Sequence, residues 1–96
     1  MTKYHAIVAH SHITLPRVVQ HHTSHRTMAA AARSLSKGIT AAKRPAPAFV
    51  TWASVVSPLG DVLSLREAQG KTVQHKHADK FPGLVILMRE VAASPV

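Results

Sequence analysis

The sequence predicts a small α+β domain in which an antiparallel sheet carries two helices on one face. This is the split βαβ, or ferredoxin-like, arrangement, with scope for an extra N-terminal strand. Three observations predict it. The 96 residues allow one core and no second domain, so a single basic unit over residues 1–96 is expected. Ser24–Lys37 repeats its apolar residues at helical period, whereas Ala48–Val56 is β-branched and aromatic. The segments then run in the order strand or strands, helix, hairpin, helix, strand.

Lys3 to Ala9 reads as a short strand through β-branched Ile7 and Val8. Pro16 suits the start of an edge strand continuing through Arg17, Val18, Val19 and Gln20. In the helix that follows, Thr23 or Ser24 is the expected cap. Met28, Ala31, Ala32 and Leu35 fall at i, i+3, i+4 and i+7, one apolar face. Gly38 fits a left-handed C′ position behind the last turn. Thr40 to Pro47 reads as a linker, since two prolines within three residues stop helix and ladder alike.

Ala48–Val56 is the best strand. Ser57-Pro58-Leu59-Gly60 predicts a type I turn with Gly60 in the left-handed region of a bulge, and Val62 to Leu65 returns as the second arm. Ser64-Leu65-Arg66-Glu67 matches a capping box, which favours a helix from Leu65 to Ala78 over an extended strand with a following loop. Phe81-Pro82-Gly83 reads as a turn, and Leu84 to Val91 as a buried strand with a short helix behind it. The expected core unites Met28, Ala31, Leu35, Val50, Trp52, Val55, Leu63, Val85 and Leu87.

Composition excludes several function classes. There are no cysteines, hence no disulfides, thiolate zinc sites or thiol catalysis. No apolar run exceeds five residues, far below the ~20 that span a bilayer, so no membrane partner is expected. No phosphate-binding glycine loop, Walker motif or nucleophile elbow occurs. An acid-free N-terminal half with Arg and Ser is also the composition of a transit peptide. Its first amphipathic helix starts only at Ser24, however, and the cytoplasm is the expected location.

The charge distribution is the most informative property. Net charge is +8, and residues 1–60 carry Lys3, Arg17, Arg26, Arg33, Lys37, Lys43 and Arg44 with no acid. Six of the eight histidines lie in the same part, so its charge grows below about pH 6.5. A one-signed field of this kind attracts polyanions. Arg26, Arg33 and Lys37, at i, i+7 and i+11, would share about 60° of the predicted helix, facing away from its apolar stripe.

Histidine invites a metal reading through His10/His12, His75/His77 and the group His21, His22 and His25. No carboxylate adjoins any of them in sequence to orient a ligand, and neither metal nor cofactor is expected. His12-Ile13-Thr14 and His21-His22-Thr23 form two His-x-Thr pairs, which resemble the motifs of two-histidine phosphoesterases. That family places its motifs in separate halves of a much longer domain, and here they lie nine residues apart. Only Tyr4, Phe49, Trp52 and Phe81 are aromatic, too few for base stacking on an open sheet.

The function these features predict is non-catalytic. A small basic protein docks on nucleic acid, or on a protein–nucleic-acid complex, through Arg17, Arg26, Arg33, Lys37, Lys43 and Arg44. Size and composition also suit a phage or mobile-element inhibitor, of the anti-CRISPR kind, that blocks a host defence complex by gripping an acidic protein surface. A third class is a small metal-independent ribonuclease using His21, His22, His25 and Arg26.

Overall fold

Two strands with apolar side chains on both faces organise the molecule. In the computed structural model, which describes residues 3–11, 18–42, 49–69 and 72–93, Ala6, Ile7, Val8 and Ala9 are all buried in β1 (Tyr4–Ser11). The same holds for Trp52, Ala53, Ser54, Val55 and Val56 in β3 (Val50–Val56). Such strands need cover on each side. The remaining strands are β2 (Val18–His25), β4 (Val62–Gln69) and β5 (Thr72–Lys76). They join in the order β2-β1-β3-β4-β5, each neighbouring pair antiparallel.

The helices α1 (Met28–Ala41) and α2 (Pro82–Ala93) supply the two covers. Ala31 and Leu35 of α1 pack on Ala6, Val8, Ala53 and Val55. Leu87, Met88 and Val91 of α2 pack on Ile7, Trp52, Val56 and Leu65. The α+β class, the antiparallel sheet and the additional N-terminal strand are as the sequence predicts. The placement of both helices on one face is not. Consecutive residues of β1 and β3 point to opposite faces, so the buried residues divide between two cores and the helices divide with them.

The single expected core is corrected accordingly. Met28 is 53% exposed and Leu63 is 42% exposed, so neither belongs to a core. Val50 packs half-buried against the α2 cluster, and Val85 is half-buried.

The first helix is displaced from its predicted span. Ser24 and His25 pair with His5 and Tyr4 in the ladder, which holds them in β2. Thr27 then caps α1, its Oγ1 accepting from the Ala30 N–H at 3.2 Å. Gly38 is not a left-handed stop but a helical residue buried against the His21 ring, and the helix continues to Ala41. Where a side chain is excluded by a neighbour, glycine serves close approach rather than termination.

The β3–β4 hairpin forms as read. Gly60 has φ +87°, its N–H donates to the Ser57 carbonyl at 3.0 Å, and Ser57 N–H donates to the Asp61 carbonyl at 2.7 Å. Ser57 Oγ also accepts from the N–H groups of Leu59 and Asp61 at 3.2 and 3.0 Å.

The described residues between 65 and 78 are not α-helical. They form most of β4, then β5 and the start of a 3-10 turn at Ala78–Lys80. Leu65 is fully buried as part of a strand against α2, an interaction a lone capping box does not outweigh. Leu84–Val91 is not a strand but the body of α2. Its buried positions are Leu87, Met88 and Val91, a helical spacing, while Ile86 is 58% exposed. Pro82 is the first helical residue, where its missing N–H costs nothing.

Candidate nucleic-acid interface

The sheet separates the charges. Opposite residues in paired strands share a face. Glu67 stands opposite Trp52, and Lys76 opposite Leu65, so both lie on the α2 side, where their side chains approach to 3.8 Å. Glu90 lies on α2 itself, and Asp79 in the 3-10 turn that leads into it. Asp61 closes the β3–β4 turn, to which α2 is tied by Arg89 Nε donating to the Gly60 carbonyl at 2.8 Å. All four acids of the chain therefore accompany the α2 layer.

The α1 side carries none of them. Arg33 and Lys37 are exposed one turn apart on α1, and Arg26 is exposed just before the cap. Arg26 is thus not part of the helix, and only Arg33 and Lys37 realise the predicted helical stripe. Further along the same side of the sheet, Arg66 stands opposite exposed His75. Arg17, Lys43 and Arg44 lie outside the described residues.

Strand alternation also sorts the histidines. His21 is opposite Val8 and Thr23 opposite Ala6, so both face α1, with His25 two residues on. Thr23 Oγ1 shares hydrogen bonds with Ser34 Oγ at 2.6 Å and His25 Nε2 at 2.7 Å, and His21 Nε2 bonds Ser34 Oγ at 2.9 Å. This network fastens β2 to α1. Burial, with a smaller contribution from the charge of His25, holds the His21 imidazole below its ordinary pKa.

His22 points to the opposite face, where it meets His5. Burial lowers the pKa of both, followed by His5 and His21 for His22, and by His25 and Lys3 for His5. The ribonuclease candidates are thereby divided, His21 and His25 on one face and His22 on the other. His10 is buried, its Nδ1 hydrogen-bonded to Thr51 Oγ1 at 3.0 Å; its sequence partner His12 lies outside the described residues. His75 and His77 are edge-to-face neighbours with centroids 6.4 Å apart. Among the described residues, no group of three or more His, Cys, Asp or Glu converges as a metal site.

The hydroxyl network and the His5–His22 pair leave no local signal in the sequence, because strand register and a helix–strand contact create them. The expected core place of Trp52 holds: it is 7% exposed and packs on Phe81 at a centroid distance of 5.0 Å.

No helix among the described residues is long and apolar enough to cross a membrane. Comparison with protein-family models, with curated proteins and with solved structures finds no match.

Proposed function

We propose that this protein docks on nucleic acid, free or within a nucleoprotein, through its α1 layer. The reading rests on one observation: the acids accompany α2, while Arg26, Arg33 and Lys37 stand exposed on the α1 side without an acid among them. Neutral pairing would disperse such a field, and its concentration on one layer favours a polyanion. Backbone phosphates are the matching chemistry, since Arg and Lys contact them without reading bases. Trp52 is taken up in the core, and contacts to backbone phosphates carry little sequence preference.

Mobility-shift titration of duplex DNA and single-stranded RNA against the wild type and an Arg33→Glu/Lys37→Glu variant tests this. The wild type binds with a steep salt dependence. The variant binds much more weakly and loses about one unit of salt slope for each phosphate contact removed, with unchanged folding because neither side chain is buried. Undiminished binding by the variant overturns the surface. A wild type indifferent to both nucleic acids at low salt overturns the reading and directs attention to an acidic protein partner.

A further inference from the structure

Two histidines separated by 17 positions in the chain meet across β1 and β2. The register sets His5 opposite Ser24 and His22 opposite Ile7, so the two imidazoles are diagonal neighbours on the α2 side of the sheet. Nδ1 of His5 lies 3.0 Å from Nε2 of His22, with the ring centroids 5.2 Å apart and the planes tilted by 43°. At that distance one ring donates its N–H to the other. The same approach suits another ligand. Two nitrogens bound cis at right angles, each about 2.1 Å from a metal ion, stand about 3.0 Å apart, whereas tetrahedral angles would separate them by about 3.4 Å. Nitrogen and oxygen donors in tetragonal geometry favour Cu2+ or Ni2+.

The surroundings admit such an ion. The packing of α2 runs over β1, β3 and β4, with β2 lying beyond it at the sheet edge, and both histidines are half-buried rather than enclosed. This is also the side that carries Glu67 and Glu90, so a dication meets less repulsion here than beside α1. The positive groups acting on the pair are Lys3 and His25 on His5, and His21 on His22.

We propose that His5 and His22 form a two-imidazole site for Cu2+ or Ni2+, with water completing the coordination shell. Binding shifts the bridging proton to the other nitrogen of its own ring, so Nδ1 of His5 and Nε2 of His22 both present lone pairs and no net proton is released. The site is independent of the phosphate contacts on the opposite layer.

Tag-free, chelator-treated full-length protein titrated with Cu2+ at neutral pH provides the test. The expected result is one tightly held Cu2+ per chain with a two-nitrogen superhyperfine pattern in electron paramagnetic resonance. His5→Gln and His22→Gln each weaken it about tenfold or more, while the His75→Gln/His77→Gln variant retains it. Should the single variants fail to fold, the wild type alone decides. Substoichiometric Cu2+ broadens the ring signals of His5 and His22 first in a 1H–15N spectrum. Unchanged affinity in a folded His5→Gln or His22→Gln variant, a one-nitrogen pattern, or first broadening at His75 and His77 overturns the proposal.

Discussion

Gly38 of α1 lies directly against the His21 ring of β2. A Cβ placed on Gly38 would stand 2.7 Å from both Cγ and Cδ2 of His21. Those atoms lie near the root of a ring whose Nε2 is already bonded to Ser34, so the ring cannot swing away freely. Alanine gains about 0.5–1 kcal/mol over glycine in a helix, but overpacking costs about 1–3 kcal/mol. The clash wins, and Gly38→Ala should lower the melting temperature. In a His21→Ala background the obstacle is gone, and the same substitution should raise it. A change of sign between the two backgrounds, read by thermal denaturation, checks the contact. Nothing in the local sequence separates this glycine from a helix stop. Only the partner ring does.

At the scale of elements, buried position decides which apolar residues matter. Leu35 is 1% exposed under α1 and Met88 is fully buried under α2. Replacing either by Ala should cost roughly 2–5 kcal/mol, enough to unfold much of a small domain of ordinary stability. Met28→Ala and Leu63→Ala should stay within about 0.5 kcal/mol, because both side chains already meet solvent. Chemical denaturation of the four variants distinguishes two cores from the single core expected from sequence. Equal losses at Met28 and Leu35 would refute the partition. The cap contributes separately: Thr27→Ala should cost about 1 kcal/mol. The helix α1 and the β3–β4 hairpin were legible because amphipathic period and turn chemistry are local. The Leu84–Met88 run was not, since a short apolar stretch fits either a buried strand or a buried helix.

At the scale of the whole molecule, three histidines depressed among the described residues set a pH response. His5, His21 and His22 bind protons less readily when folded than their ordinary value of 6.5 allows. Above that value both states are neutral and nothing changes. As pH falls through 6.5 the unfolded chain takes up protons first, so stability declines until the folded values are passed. Unfolding free energy measured between neutral and mildly acidic pH should therefore fall, and His21→Gln should flatten part of the decline. A bound polyanion should oppose the trend by favouring the protonated rings nearest α1. A stability that rises on acidification in the absence of nucleic acid would contradict the burial of these rings.

The sequence by itself determined the α+β class, the amphipathic α1, the hairpin at Gly60 and the one-sided charge of residues 1–60. Each is written in neighbours a few positions apart, where period, turn geometry and charge act without long-range partners. The tertiary structure alone decided the rest. Burial of β1 and β3 on both faces sent the helices to opposite sides, and the energy of covering Leu65 drew residues 65–69 into the sheet against their capping signal. Of the predicted contact residues, the fold united Arg33 and Lys37 on α1 with Arg26 beside its cap. The side chains that meet as His5–His22 and as His21–Ser34–Thr23 are distant in sequence, and a period-2 strand register chooses their partners.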